Sequence, residues 1–277
     1  MFKSKRYDDE TLKHLQQVQM KIFKYFLEIC EEHDLTYFMY AGSLLGTVRH
    51  EGFIPWDDDI DVIMFRDDFE KLNNILENNI DKKYRFFNVL NEETYHYSWG
   101  RITLKDTLFK EWWGNQVEYT PNIFLDIFIL DNVPNNKYKW FVQKWKSFIL
   151  NQLTIYSIIK YKNESKLKEI IQQSIYYLLK ILPISPKTIK KKCVETFSKY
   201  QNEDCDRVCD FPSEFFMPVS YKTDWLPVKK AKFEGLDVNI PNNYDKILTM
   251  DFNNYMELPP EESRFNTAPK EIDFGEY

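Results

Sequence analysis

Four aspartates fall within five positions of this chain, at Asp57, Asp58, Asp59 and Asp61, in the stretch WDDDIDVIMF. Carboxylates this crowded repel one another when ionised and need a counter-charge. Val62 to Phe65 are apolar and predict a core strand over 59–65. The two-residue period of a strand would put Asp59 and Asp61 on one face. Two carboxylates side by side at the mouth of a buried strand make a hard-oxygen site suited to Mg²⁺ or Mn²⁺. The alternative is a solvated acidic loop, and a D-x-D pair alone also occurs in glycosyltransferases that use sugar nucleotides.

An upstream pair, Gly42-Ser43, gives the acids a partner. A strand ending in Gly-Ser, then a short helix, then D-x-D on the next strand is an arrangement for handling phosphate. Glycine lets the backbone approach a phosphate, and the serine hydroxyl and helix N-terminal amides donate to it. A metal on the acids would bridge phosphate oxygens from the other side. One D-x-D supplies few ligands, so a third carboxylate is expected. Asp126 is the candidate, because the rest of Phe124 to Leu130 is apolar and a lone buried aspartate is costly unless paired or metal-bound. A structural ion pair is its alternative. Asp131, at the end of the same run, is expected in a turn.

Other residues could complete such a site. Arg49 and His50 follow the Gly-Ser helix, placed to bind phosphate or the leaving group, or else to pair with Glu51 or Asp57. Arg101 and Lys105 lie on a strand that would border the acids, and Arg264 would reach a donor from the tail. Trp112, Trp113 and Tyr119 could wall in a quaternary ammonium, or simply pack in the core of a chain with 47 aromatic residues.

These residues need elements to position them. Leu12, Leu15, Ile22, Phe26 and Ile29 recur at helical spacing and predict a helix over 8–34, capped by Asp8 or Asp9. Strands are predicted at 37–40, 59–65, 84–90, 99–104 and 124–130, with helical turns at 43–50, a loop at 51–58 and a helix at 67–79. From Lys137 the texture changes to long, Lys-rich, aromatic helical patterns over 137–161, 165–182 and 186–201, the last two separated by Pro183 and Pro186. A hairpin turning at Glu234-Gly235 is predicted within 225–240, then a short helix at 242–250. The expected fold class is α/β (α+β): a small mixed β-sheet flanked by helices, in a single domain over 1–277 with 135–201 as a helical insertion.

Composition excludes several classes. With 7 glycines and neither GxGxxG nor GxxxxGK[ST], Gly-rich phosphate loops are not expected. A net charge of −6 argues against nucleic acid as a partner, whose binding depends on neutralising phosphates. The lysines from Lys187 to Lys192 fit a solvated helix face. Four cysteines, Cys30, Cys193, Cys205 and Cys209, lack a second pair at zinc spacing and are expected as free thiols. Met1 to Glu10 is polar, with no targeting signal, and no apolar run approaches the ~20 residues that span a bilayer. The expected location is cytoplasmic, at the inner face of a membrane if the acceptor is lipid-linked and the insertion makes peripheral contact.

Three stretches, AGSLLGTVRHEGFIPWDDDID, FLDIFILDNVP and YMELPPEESR, resemble in order and spacing the LicD family of phosphocholine transferases, relatives of the fukutin proteins. The resemblance implies a nucleotidyltransferase-like fold. It also implies transfer of a phospho-alcohol, phosphocholine first, from a CDP-linked donor to a hydroxyl of a cell-surface glycan such as teichoic acid, capsule or lipopolysaccharide, with release of CMP. Glycerol phosphate and ribitol phosphate are the nearest alternatives, followed by attachment of a nucleotide and by non-catalytic glycan binding. By the same resemblance Gly42 and Ser43 fall on the Gly-Ser motif, Asp59 and Asp61 on the acidic pair, and Asp126 on the third acid, which would also take the acceptor's proton. The chain departs from the family pattern at Asn253-Asn254, where Gly-Asp is common, and at Asn266, where a histidine is common.

Overall fold

The computed structural model describes residues 6–111, 122–160, 165–211 and 218–277. Helix α1 (Asp9–Glu32) starts where predicted: the Asp8 side chain accepts from the Thr11 amide, and Asp9 and Glu10 face the positive end of the helix dipole. Its buried stripe, from Leu12 through Ile22 and Phe26 to Ile29, lies against a central sheet. Strand β1 (Tyr37–Met39) is followed at once by α2 (Ala41–His50), β2 (Asp61–Phe65) and α3 (Arg66–Asn79). Strands β3 (Tyr84–Phe87), β4 (Gly100–Leu104) and β6 (Phe124–Val133) complete the middle of the sheet, and β5 (Leu108–Lys110) pairs with β11 (Glu271–Asp273) beside it.

The sheet is mixed. β2 and β6 run parallel, with Asp61 opposite Asp126, while β1–β2, β3–β4 and β4–β6 are antiparallel. β6 is ten residues long and changes neighbour along one edge. Its first half pairs with β4 and its end with β7 (Arg207–Asp210), which in turn pairs with β8 (Val219–Tyr221). Between β6 and β7 the chain forms α4 (Lys137–Ile158), α5 (Lys166–Ile181) and α6 (Pro186–Phe197). After the short α7 (Lys222–Trp225), β9 (Lys229–Phe233) and β10 (Leu236–Ile240) form the predicted hairpin, with Glu234 and Gly235 both at positive φ as a two-residue turn requires. Helix α8 (Tyr244–Phe252) precedes the tail.

Two expectations are corrected. Asp131 is not a turn residue: it lies inside β6, fully buried, and both of its oxygens accept from Arg66 at 2.6 and 2.8 Å. The strand continues past Leu130 because β7 supplies ladder partners there. Strand β2 begins at Asp61, so Asp59 lies in the stretch just before the strand rather than on it. Strands β5, β7, β8 and β11 are three or four residues long, too short for a two-residue period to stand out. The four cysteines are buried and free, as expected.

Candidate active site

The acids meet at the start of β2. The Tyr40 amide donates to the Asp61 carbonyl, and the Asp126 amide donates to the Ile60 carbonyl, so β1, β2 and β6 are tied together there. Ser43 is buried in the first turn of α2, and its Oγ accepts from the Asp61 amide at 2.9 Å. Thr47 Oγ1 donates back to the Ser43 carbonyl. The Gly-Ser motif therefore grips the strand that carries the acid. At Gly42 a Cβ would lie 2.7 Å from Oδ2 of Asp57, so a side chain there would displace that carboxylate. Ala41, just before it, sits at φ 44, the left-handed turn that swings the chain from β1 into α2.

Asp57, Asp58 and Asp59 each offer a carboxylate oxygen, all within 4.8 Å of one another, which is spacing that could hold a cation. Residues far apart in sequence hold this loop. Gln16 and Gln19 of α1, one turn apart, donate to the carbonyls of Asp57 and Asp58. Tyr7 donates its hydroxyl to Asp58 at 2.7 Å. Asn266, from the tail, donates to Asp57 at 3.0 Å and to Asp58 at 2.6 Å. The position that departs from the family pattern is thus in contact with the acids. A recess of ≈ 330 Å³ opens here, walled in part by Asp58, Asp59, Glu111, Phe124 and Asn266.

Asp126 lies in a row across three strands, between Asp61 on β2 and Arg101 on β4. Arg101 donates to both of its oxygens, at 2.6 and 2.8 Å, with both side chains buried. The guanidinium also lies 3.6 Å from the Phe124 ring centroid and 4.8 Å from that of Tyr97. The ion-pair alternative for Asp126 is therefore realised, and it stands next to the other acids.

This crowding has an electrostatic signature. Burial first, and then Asp61, Asp57, Asp58 and Asp126, hold the Asp59 carboxyl well above the usual carboxylate range. Asp61 is raised in the same way by burial and then by Asp126 and Asp57, with Arg101 pulling against them. Burial and Asp58 push Asp57 up to about 6. The cluster lacks positive charge for the carboxylates it holds, and that is the condition a bound cation relieves. A folded carboxyl raised above its unfolded value binds its proton more tightly when folded. Its contribution to stability is full at low pH and lost as pH rises through the folded pKa. Metal-free protein is therefore expected to show a falling melting temperature from about pH 4 to about pH 7. Mg²⁺ should restore part of the loss at neutral pH and none at low pH. Thermal unfolding in chelator and in Mg²⁺ across that range tests this, and a rising midpoint in chelator over it would contradict the charge imbalance.

The basic residues divide. Arg49 pairs with neither Glu51 nor Asp57. Its Nε meets His50 Nε2 at 2.9 Å, and its Nη1 donates to the Tyr255 carbonyl at 2.7 Å. This fastens the YMELPPEESR stretch to the end of α2. Burial and the nearby like charge of Arg264 lower the Arg49 pKa. Lys105 is not brought to the acids. It lies beyond the far end of β4 from Arg101, with its Nζ on the Lys82 carbonyl. Arg101 and Lys105 are four residues apart, which on an extended strand is roughly 13 Å. Trp112, Trp113 and Tyr119 fall outside the described residues. A different aromatic row is present, with Tyr97 on Trp99 at 4.6 Å, Trp99 on Phe128 at 4.9 Å and Phe128 against Tyr40 at 5.2 Å. At its end Tyr40 lies near Asp210, whose carboxyl is pushed up to about 7 by burial and by Asp131.

Asn266 stood out in the sequence only as a departure from the family pattern, and Tyr7, Gln16, Gln19 and Glu111 were not singled out. Only Gln19 carried a signal, as a polar residue beside Val18 and one turn from Leu15 and Ile22 on the buried stripe of α1.

Comparison with known proteins places this geometry. Residues 34–170 match the family profile described as LicD/FKTN/FKRP, nucleotidyltransferase domain. The chain is 30% identical over 279 aligned residues to the lipopolysaccharide cholinephosphotransferase LicD of Haemophilus influenzae, covering 92% of this chain and 94% of that one. An uncharacterized protein of Rickettsia prowazekii is 41% identical over 49 residues, 18% of each chain. With its Gly-Ser helix and its cluster of acids at the start of β2, and with near full-length similarity to one characterised relative, the chain belongs to the LicD family.

Proposed function

We propose that the protein transfers phosphocholine from CDP-choline to a hydroxyl of a cell-surface glycan and releases CMP. The observation that carries this reading is the acid cluster at the start of β2, short of positive charge and set against the Gly42-Ser43 turn. The near full-length relative that is a lipopolysaccharide cholinephosphotransferase supports the choice of group and acceptor class.

The donor set fits a hard divalent cation, Mg²⁺ or Mn²⁺: several carboxylate oxygens converge, and burial with mutual repulsion holds Asp59 well above the usual carboxylate range, a penalty that a cation would relieve. Asp57, Asp58, Asp59 and Asp61 would hold it, with Asp126 behind them. When bound, the cation offsets the charge of the diphosphate and of the departing phosphate. Ser43, whose Oγ accepts from the Asp61 amide, still has its hydroxyl proton to give a phosphate oxygen. Arg49 and Arg264 would take the CMP side, which separates two guanidiniums otherwise in mutual repulsion.

An acceptor hydroxyl oxygen attacks the phosphorus that carries choline. The bond from that phosphorus to the bridging oxygen breaks, and CMP leaves with its electron pair. The hydroxyl proton passes to a carboxylate oxygen of the Asp59–Asp61 pair. Asp126 is a poorer acceptor than its sequence position suggests, because Arg101 occupies both of its oxygens. The trimethylammonium would lie toward Tyr40 and Phe128, where ring faces and the Asp210 carboxylate meet next to α2.

The test is nucleotide release, read by mass spectrometry. Purified protein is given Mg²⁺ or Mn²⁺, a glycan acceptor, and CDP-choline, CDP-glycerol, CDP-ribitol, CTP or UDP-sugars in turn. CMP release from CDP-choline, with phosphocholine appearing on the acceptor, is the expected outcome. CMP from CDP-glycerol or CDP-ribitol alone would reassign the group moved, and pyrophosphate from CTP would replace the reading with nucleotide attachment.

A further inference from the structure

The helices between β6 and β7 are built the wrong way round for a solvated surface. The buried residues of α4 are Gln143, Ser147, Asn151, Thr154, Ile155 and Ser157, five of the six polar. Its exposed residues include Tyr138, Phe141, Val142, Trp145 and Ile149, at positions that recur on one stripe of a helix. Helix α5 packs along α4 and buries none of its own residues. Leu167, Ile170, Ile171, Leu178 and Ile181 form a second exposed stripe, with Leu167 at 69% and Ile181 at 81% exposure. Contiguous apolar surface of this kind marks an interaction site.

Charge says what kind. Residues 137–199 contain fourteen lysines against three glutamates, a net +11, while the remainder of the chain carries −17. Successive helical residues are about 100° apart, so Lys137 and Lys139 flank the α4 stripe on either side, as Lys166 and Lys168 flank that of α5. An apolar stripe rimmed by lysines suits the boundary of an anionic bilayer: apolar side chains enter the acyl region while the long lysine stems reach back to the headgroups. No helix among the described residues is long and apolar enough to cross a membrane.

We propose that the exposed face of α4 and α5 docks the protein in the plane of an anionic lipid surface. Docking holds the enzyme where a lipid-linked acceptor would lie, a consequence that rests on the function proposed above. The contact itself stands apart from catalysis.

Full-length protein is floated with vesicles of equal parts phosphatidylcholine and phosphatidylglycerol, and with phosphatidylcholine alone. Binding to the mixed vesicles, weakened by salt and about tenfold weaker on neutral ones, is expected. The triple substitution Phe141→Ser/Ile170→Ser/Ile181→Ser should weaken partitioning by about tenfold or more, as should Lys→Gln changes at Lys139, Lys146, Lys166 and Lys168. Both variants change exposed residues, and circular dichroism with unchanged CMP release from CDP-choline in the presence of a soluble acceptor would verify folding. Variant binding equal to that of the parent would overturn the proposal. So would absence of binding by the parent together with a light-scattering mass that is dimeric in the parent and monomeric in the apolar variant, which would assign the face to a second copy of the chain.

Discussion

Replacing Asp59 by asparagine is expected to lower phosphocholine transfer by about 10²–10³-fold or more while raising the melting temperature of the metal-free protein. Asp59 is where burial and four like charges meet. Asparagine keeps the shape and removes the charge, so the folded state sheds repulsion that the unfolded chain never had. In chains of this size class each kcal/mol gained raises the midpoint by about 2–4 °C. Asp61→Asn should move both quantities in the same direction with a smaller thermal gain, because Arg101 already compensates part of the charge at Asp61. Addition of Mg²⁺ should raise the midpoint of the parent more than that of either variant. Steady-state rates beside thermal unfolding in chelator and in Mg²⁺ give the answer. An Asp59→Asn protein that kept its activity, or melted lower without metal, would remove Asp59 from the proposed centre.

The second large effect separates two buried ion pairs of similar geometry. Arg101 holds Asp126 and Arg66 holds Asp131, each through two hydrogen bonds of 2.6 and 2.8 Å, and all four side chains are buried. Removing one partner leaves an uncompensated charge inside, at a cost of about 3–5 kcal/mol. Arg101→Met and Arg66→Met are therefore both expected to melt about 6–20 °C below the parent. Their activities should part. Arg101→Met frees a carboxylate beside Asp61 and should lose transfer even at temperatures where it is folded. Arg66→Met disturbs a pair that faces α3 and should retain near-parental kcat. The double change Arg101→Met/Asp126→Leu should recover most of the stability and none of the activity, since an apolar pair of similar volume replaces a buried ionic one at little cost. Full transfer by Arg101→Met would show that the Arg101–Asp126 pair serves the fold alone.

Much of this centre was legible from local sequence, for physical reasons. Asp57 to Asp61 stand out because charge density at the edge of an apolar run is a local property, and Gly42-Ser43 because a breaker between a strand and a helix is one too. The helices of 137–201 were readable from period alone, since an amphipathic stripe needs no partner to be seen. That stripe does not say which side faces the protein. In α4 the apolar side faces outward, a choice made by Gln143, whose side-chain amide donates to the Asn132 and Phe197 carbonyls, and by Asn132, whose side-chain amide donates to the Tyr200 carbonyl. Tertiary structure alone decided the rest. Asn266 and Tyr7 reach Asp58 from separations of 208 and 51 residues, and Arg101 takes both oxygens of Asp126 from 25 residues away. Lys105, four residues from Arg101 on the same strand direction, ends on the Lys82 carbonyl instead. Spacing along the chain orders side chains within one element. The pairing of β2, β4 and β6 sets which of them share a site, because strand register is fixed by burial and ladder partners over the whole sheet.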